Sequence, residues 1–144
     1  MTKSTEELNN EIKDIRDIQD FFVSNQNQML TVSLSEHLNM LLSEKNLHKT
    51  NIIHDSLLDR VYVYQIFSGR KFPSRNKLIA LAFGMHLSVD ETQRLLKISG
   101  NRELYAREQR DAIILFALHR DMTISDTNEL LFERGLRVLG ISQK

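Results

Sequence analysis

The chain has 144 residues, 41% apolar and 26% charged, with 19 basic against 19 acidic side chains and a formal net charge of zero. That balance fits one globular domain with an appendage, able to bury a core without covalent staples. The lack of cysteine excludes disulfides, a thiol nucleophile and Cys-based zinc sites, and fits a reducing, cytoplasmic setting.

The opening MTKSTEELNN lacks the apolar core of a signal peptide, and no apolar run approaches the roughly 20 residues that span a bilayer, so no membrane partner is expected. One proline and five glycines leave little for tight strand turns, so the chain reads as all-α. Ser4 and Glu7 have the spacing of a capping box. After them Leu8, Ile12, Ile15, Ile18 and Phe22 recur at helical spacing, predicting one amphipathic helix that ends in the polar run from Ser24 to Asn27. Its stripe either packs within the chain or forms a dimer or partner face. Residues 1–32 carry three basic and six acidic side chains, residues 33–75 six and four, and residues 76–144 ten and nine. The basic excess is therefore local and modest.

A second capping box, Ser33 to Glu36, opens a helix with Leu38, Leu41 and Leu42 on its apolar face. A short helix follows from Thr50 to Leu57, with Ile52, Ile53 and Leu57 inward. Asp59 then caps a third, Arg60 to Phe67, with Val63 and Ile66 inward. Gly69 suits the left-handed residue after a helix, Pro73 blocks continuation, and Ser74 caps the next helix. Residues 75–96 and 110–131 align without a gap at an offset of 35: Arg75 with Arg110, Ala82 with Ala117, Ser88 with Thr123, Thr92 with Thr127, Leu95-Leu96 with Leu130-Leu131. Each copy reads as a helical hairpin, and one hairpin cannot bury its stripe alone, so the two are expected to stack. The expected domains are 1–32, 33–98 and 99–144.

Two short helices packed steeply leave the second projecting, in a form that fits the major groove of DNA. On the Arg60–Phe67 helix, Arg60, Val61, Tyr62, Tyr64 and Gln65 are left for outer faces once Val63 and Ile66 turn inward. Arg and Gln suit base edges. Tyr62 and Tyr64 either meet the nucleic acid or pack on the N-terminal helix. Ser68 and Gly69 let the backbone approach closely, and Arg70, Lys71 and Arg75 suit phosphate oxygens or form an ordinary solvated turn. The five histidines are scattered, which argues against a metal site, and no catalytic set or cofactor loop is present, so the chain reads as a non-enzyme.

Residues 34–92 resemble the phage-repressor-like Cro/repressor (XRE) helix-turn-helix family. The resemblance rests on Leu38 and Leu41, on Ile52, on Val63 with Ile66, on the turn Gly69-Arg-Lys-Phe-Pro73, and on Leu78, Leu81, Ala82, Leu87, Ser88 and Glu91. It implies a lambda-repressor-like bundle in a bacterial or phage transcription regulator, binding double-stranded DNA as a homodimer with half-sites about one helical turn apart. It further implies base contacts from the Arg60–Gln65 helix and phosphate contacts from neighbouring helix ends, which adds Lys49 and Thr50. Residues 102–135 look like an extra helical hairpin found after this domain in some regulators of the family. Ile53 and Leu57 replace a small residue and a glycine of the pattern, and this predicts a longer or differently packed turn. The alternative expectation is a protein-interaction module that keeps the fold and does not bind DNA.

Overall fold

A computed structural model describes residues 3–24 and 33–140, the side chains of Phe22 and Val23 excepted. Within these residues the chain is all-α and contains no strand, and none of its helices is long and apolar enough to cross a membrane. It divides into two units between Val32 and Ser33.

The first unit departs from the single helix expected. The helix α1 (Thr5–Asp14) is capped by the Ser4 hydroxyl, which accepts from the Glu7 N–H. It stops at Ile15, whose φ of −85° and ψ of 140° are extended. The Asp17 carboxylate then accepts from the Gln19 N–H at 3.0 Å and opens α2 (Ile18–Ser24). A short polar side chain that can bond the backbone ahead of it restarts the helix here, and periodicity alone does not register that competition. The predicted stripe is thus split between two helices. Leu8 and Ile15 are half-buried, Ile12 and Ile18 are exposed, the Phe22 side chain lies outside the described residues, and so does most of the predicted loop after Ser24.

The second unit contains α3 (Leu34–Glu44), α4 (Lys49–Ser56), α5 (Arg60–Phe67), α6 (Arg75–Gly84), α7 (Val89–Ile98), α8 (Gln109–His119) and α9 (Ile124–Glu133). Side-chain caps open α3, α5, α6, α7 and α9 from Ser33, Asp59, Ser74, Ser88 and Thr123, and Ser88 with Glu91 completes a reciprocal capping box. Three helices end alike. Asn46, His86 and Asp121 adopt φ of 54°, 54° and 50°, and the next N–H, of Leu47, Leu87 or Met122, bonds a carbonyl five residues back. Asn, Asp and His tolerate this left-handed position better than other non-glycine residues do.

The α4–α5 turn is three residues long, so the bulky residues do not lengthen it. Leu57 takes the left-handed conformation itself, at φ 60°. Leu58 beside it is buried, and Ile53 is half-buried against the core. Tertiary packing thus imposes on a leucine a backbone position that glycine would adopt without strain.

The helix α6 is the axle of the fold, with Leu78 to Gly84 all buried. It meets α4 at Gly84, where a Cβ would lie 2.7 Å from both the Ile52 carbonyl oxygen and the Ser56 Cβ. Only glycine allows the two helices to approach this closely.

The internal repeat is real in three dimensions and longer than the aligned caps indicated. The Gln93 side chain exchanges two hydrogen bonds with the Leu104 backbone, and Asn128 does the same with Leu139, 35 residues on. Likewise the Arg75 Nε donates to the Arg102 carbonyl at 2.8 Å and the Arg110 Nε to the Arg137 carbonyl at 2.9 Å. The copies face each other across an approximate two-fold axis rather than following one another as in a solenoid. Arg75 reaches Asp111 while Arg110 reaches Asn76, His86 meets its own counterpart Asp121, and α6 packs on α9 as α7 packs on α8. Residues 99–140 therefore belong to the same core as α6 and α7, through buried Leu104, Ile114, Leu131 and Leu139.

Candidate nucleic-acid interface

The sequence of α5, RVYVYQIF, holds three buried residues, Val63, Ile66 and Phe67, and has no acidic side chain. Asp59 caps its first turn by accepting from the Tyr62 N–H. With that stripe anchored, Arg60 and Val61 are exposed, Tyr64 is 41% exposed and Gln65 is half-buried. After α5 the chain reverses at Gly69, φ 82°, and the Gln65 carbonyl accepts from the N–H groups of Arg70 and Lys71. That turn holds both basic residues at the C-terminal end of α5 with exposed side chains. The Ser68 hydroxyl turns back onto the same Gln65 carbonyl.

Tyr64 gathers cations. The Lys49 Nζ lies 5.0 Å and the Arg60 guanidinium carbon 5.5 Å from its ring centre, within range of cation–π attraction. Lys49 is the first residue of α4, which begins without a side-chain cap because His48 supplies none. The His48 carbonyl accepts from the Asn51 and Ile52 N–H groups of that first turn, and Thr50 is exposed beside them. Tyr62 is half-buried, with the Lys77 Nζ 4.3 Å from its ring centre, and burial raises its pKa.

Lys77 did not emerge from the sequence. It stands in the first turn of α6, and its only signal was its place two residues beyond Arg75. That this end of α6 lies against Tyr62 of α5 is a tertiary fact.

Arg75 departs from its expected place on this surface. Its guanidinium donates to both Asp111 carboxylate oxygens, at 3.2 and 2.8 Å, and to the carbonyls of Arg102 and Glu103. Its side chain is only 17% exposed. Buried Asp111 needs this partner more than a solvated phosphate would, so Arg75 is an internal strut joining the two repeat copies. The structure thus brings together Lys49, Thr50, Arg60, Val61, Tyr62, Tyr64, Gln65, Ser68, Arg70 and Lys71 around α5, adds Lys77, and removes Arg75.

The resulting face presents cations, an amide and hydroxyl groups on and around one helix. It can neutralise phosphates while offering Arg60 and Gln65 to base edges. Comparison with protein-family models, with curated proteins and with solved structures finds no match to this chain.

Proposed function

We propose that this chain is a sequence-specific DNA-binding transcriptional regulator with a lambda-repressor-like helix-turn-helix, working in the cytoplasm as a dimer, with α5 as its recognition helix. The observation that carries this reading is the outer surface of α5: no acid on the helix, Arg60 and Gln65 available for bases, and Lys49, Lys71, Arg70 and Lys77 around it. Base contacts come from Arg60, Gln65 and the Tyr64 edge. Phosphate contacts come from Lys49 and Thr50 at the start of α4 and from Arg70 and Lys71 after α5. A second reading, a protein-interaction module on the same scaffold, is favoured by the exposure of Val61 and Phe72, 63% and 76%.

Selection of bound duplexes from a random pool separates the two. The first reading expects an enriched motif. Arg60→Ala should relax preference at one base step and weaken the selected duplex by about 1–3 kcal/mol, while Lys71→Ala should weaken all duplexes alike and flatten the salt dependence. A folded protein that enriches no duplex at low salt would sink it.

A further inference from the structure

We infer that the outer face of α8 and α9 is the surface through which two copies of this chain associate. Ile113, Phe116 and Leu130 line an open apolar groove with Gln109, Ala112 and Arg134. At the offset of 35 they correspond to Leu78, Leu81 and Leu95, all fully buried. In the second copy Phe116 is 44% exposed, and Ile113 and Leu130 are half-buried. The approximate two-fold explains the difference. The copies cover each other on one side. The other side of the first copy is covered by the α3–α5 region, with α4 on α6 and α3 on α7. Within the second unit the same side of the second copy has no such cover among the described residues, and it keeps the apolar positions that such a cover requires.

The charges around the groove identify the occupant as a second copy. Arg120 lies 3.8 Å over the Phe116 ring, Arg134 lines the groove, and Glu133 pairs with Arg134 at 3.9 Å. An edge carrying both signs matches itself across a two-fold axis, where each Arg can meet the other copy's Glu. A basic peptide would meet both arginines and a polyanion would meet Glu133, whereas a second copy brings both signs. The groove lies on different helices from the α5 face, and the inference stands whether or not DNA is bound.

Sedimentation equilibrium of the full chain without DNA tests it, at micromolar concentrations. The native chain should dimerise. Phe116→Asp should weaken the dimer about 30-fold or more, the loss typical of a central aromatic anchor, with an unchanged circular-dichroism melt. Phe132→Ser, which removes an aromatic 78% exposed but outside the groove, should leave the dimer intact. Because the chain has no cysteine, Phe116→Cys provides a readout independent of folding losses: a short bis-maleimide should link two copies through it, and should not link Phe132→Cys. A native chain that stays monomeric overturns the inference. So does dimerisation that survives Phe116→Asp, or that is lost with Ile12→Asp in α1 instead.

Discussion

Replacing Arg75 by alanine is expected to destabilise the second unit by about 3 kcal/mol, far more than the loss of a surface cation. Asp111 is 1% exposed and holds the Arg75 guanidinium by two hydrogen bonds. Removing one partner of a buried ion pair costs about 3–5 kcal/mol, because the other charge remains desolvated. The Asp111 carboxylate keeps the Tyr105 N–H at 3.0 Å, and the released Arg102 and Glu103 carbonyls belong to exposed residues that water can reach, which places the cost near the lower end. Burial raises the Asp111 pKa, but the Arg75 and Tyr105 hydrogen bonds and the charges of Arg75 and Arg102 together hold it below the ordinary carboxylate value. The native pair therefore stabilises the fold above the ordinary carboxylate range and loses that contribution as pH falls through the depressed value. Urea denaturation at neutral pH reads the cost directly, and repetition at falling pH should show the Arg75→Ala deficit shrinking as Asp111 protonates. Arg75→Met with Asp111→Leu should recover much of the loss, since an apolar pair removes the stranded charge. A single-variant loss below about 1 kcal/mol, with an unchanged denaturant slope, would refute the strut.

Asn76→Asp should raise stability by about 1–2 kcal/mol in the same denaturation assay, because half-buried Arg110 bonds the Arg137 carbonyl and the neutral Asn76 amide, at 2.9 and 2.7 Å, where its counterpart has a carboxylate, and its Nη2 is buried without a partner. His86 donates to Asp55 and faces Asp121, and these hydrogen bonds, against partial burial, raise its pKa above 6.5. Its stabilisation is complete below the ordinary histidine value and is lost as pH rises through the raised one. The advantage of the native chain over His86→Ala should therefore decline as pH rises beyond the ordinary histidine value, with the His54–Asp55 pair present in both; a flat difference would remove the clamp. Gly84→Ala should cost about 1–3 kcal/mol through collision with the α4 backbone, read as a lowered melting temperature, despite the helix propensity gained.

The helical class, most of the second unit's caps and the inward residues of α5 were legible in the sequence, because each depends on local spacing: Ser33, Asp59 and Ser74 cap where their positions predicted, and the aligned Ser88 and Thr123 cap equivalent helices. The repeat was legible too, and its missing third lay in plain view as Gly100, Arg102 and Leu104 matching Gly135, Arg137 and Leu139. The break between α1 and α2 was obscured because the apolar spacing continues across Asp17, whose backbone bond decides the matter.

Tertiary structure alone assigned the arginines. Arg70 and Arg75 are both basic residues near one turn, and no local rule distinguishes a solvated cation from one drawn inward by a carboxylate 36 residues away. The same holds for Lys77 against Tyr62, for Leu57 held at positive φ, and for the two-fold relation that buries Leu81 and exposes Phe116. Periodicity specifies which side of a helix is apolar; what covers that side is decided only when distant segments compete to bury it.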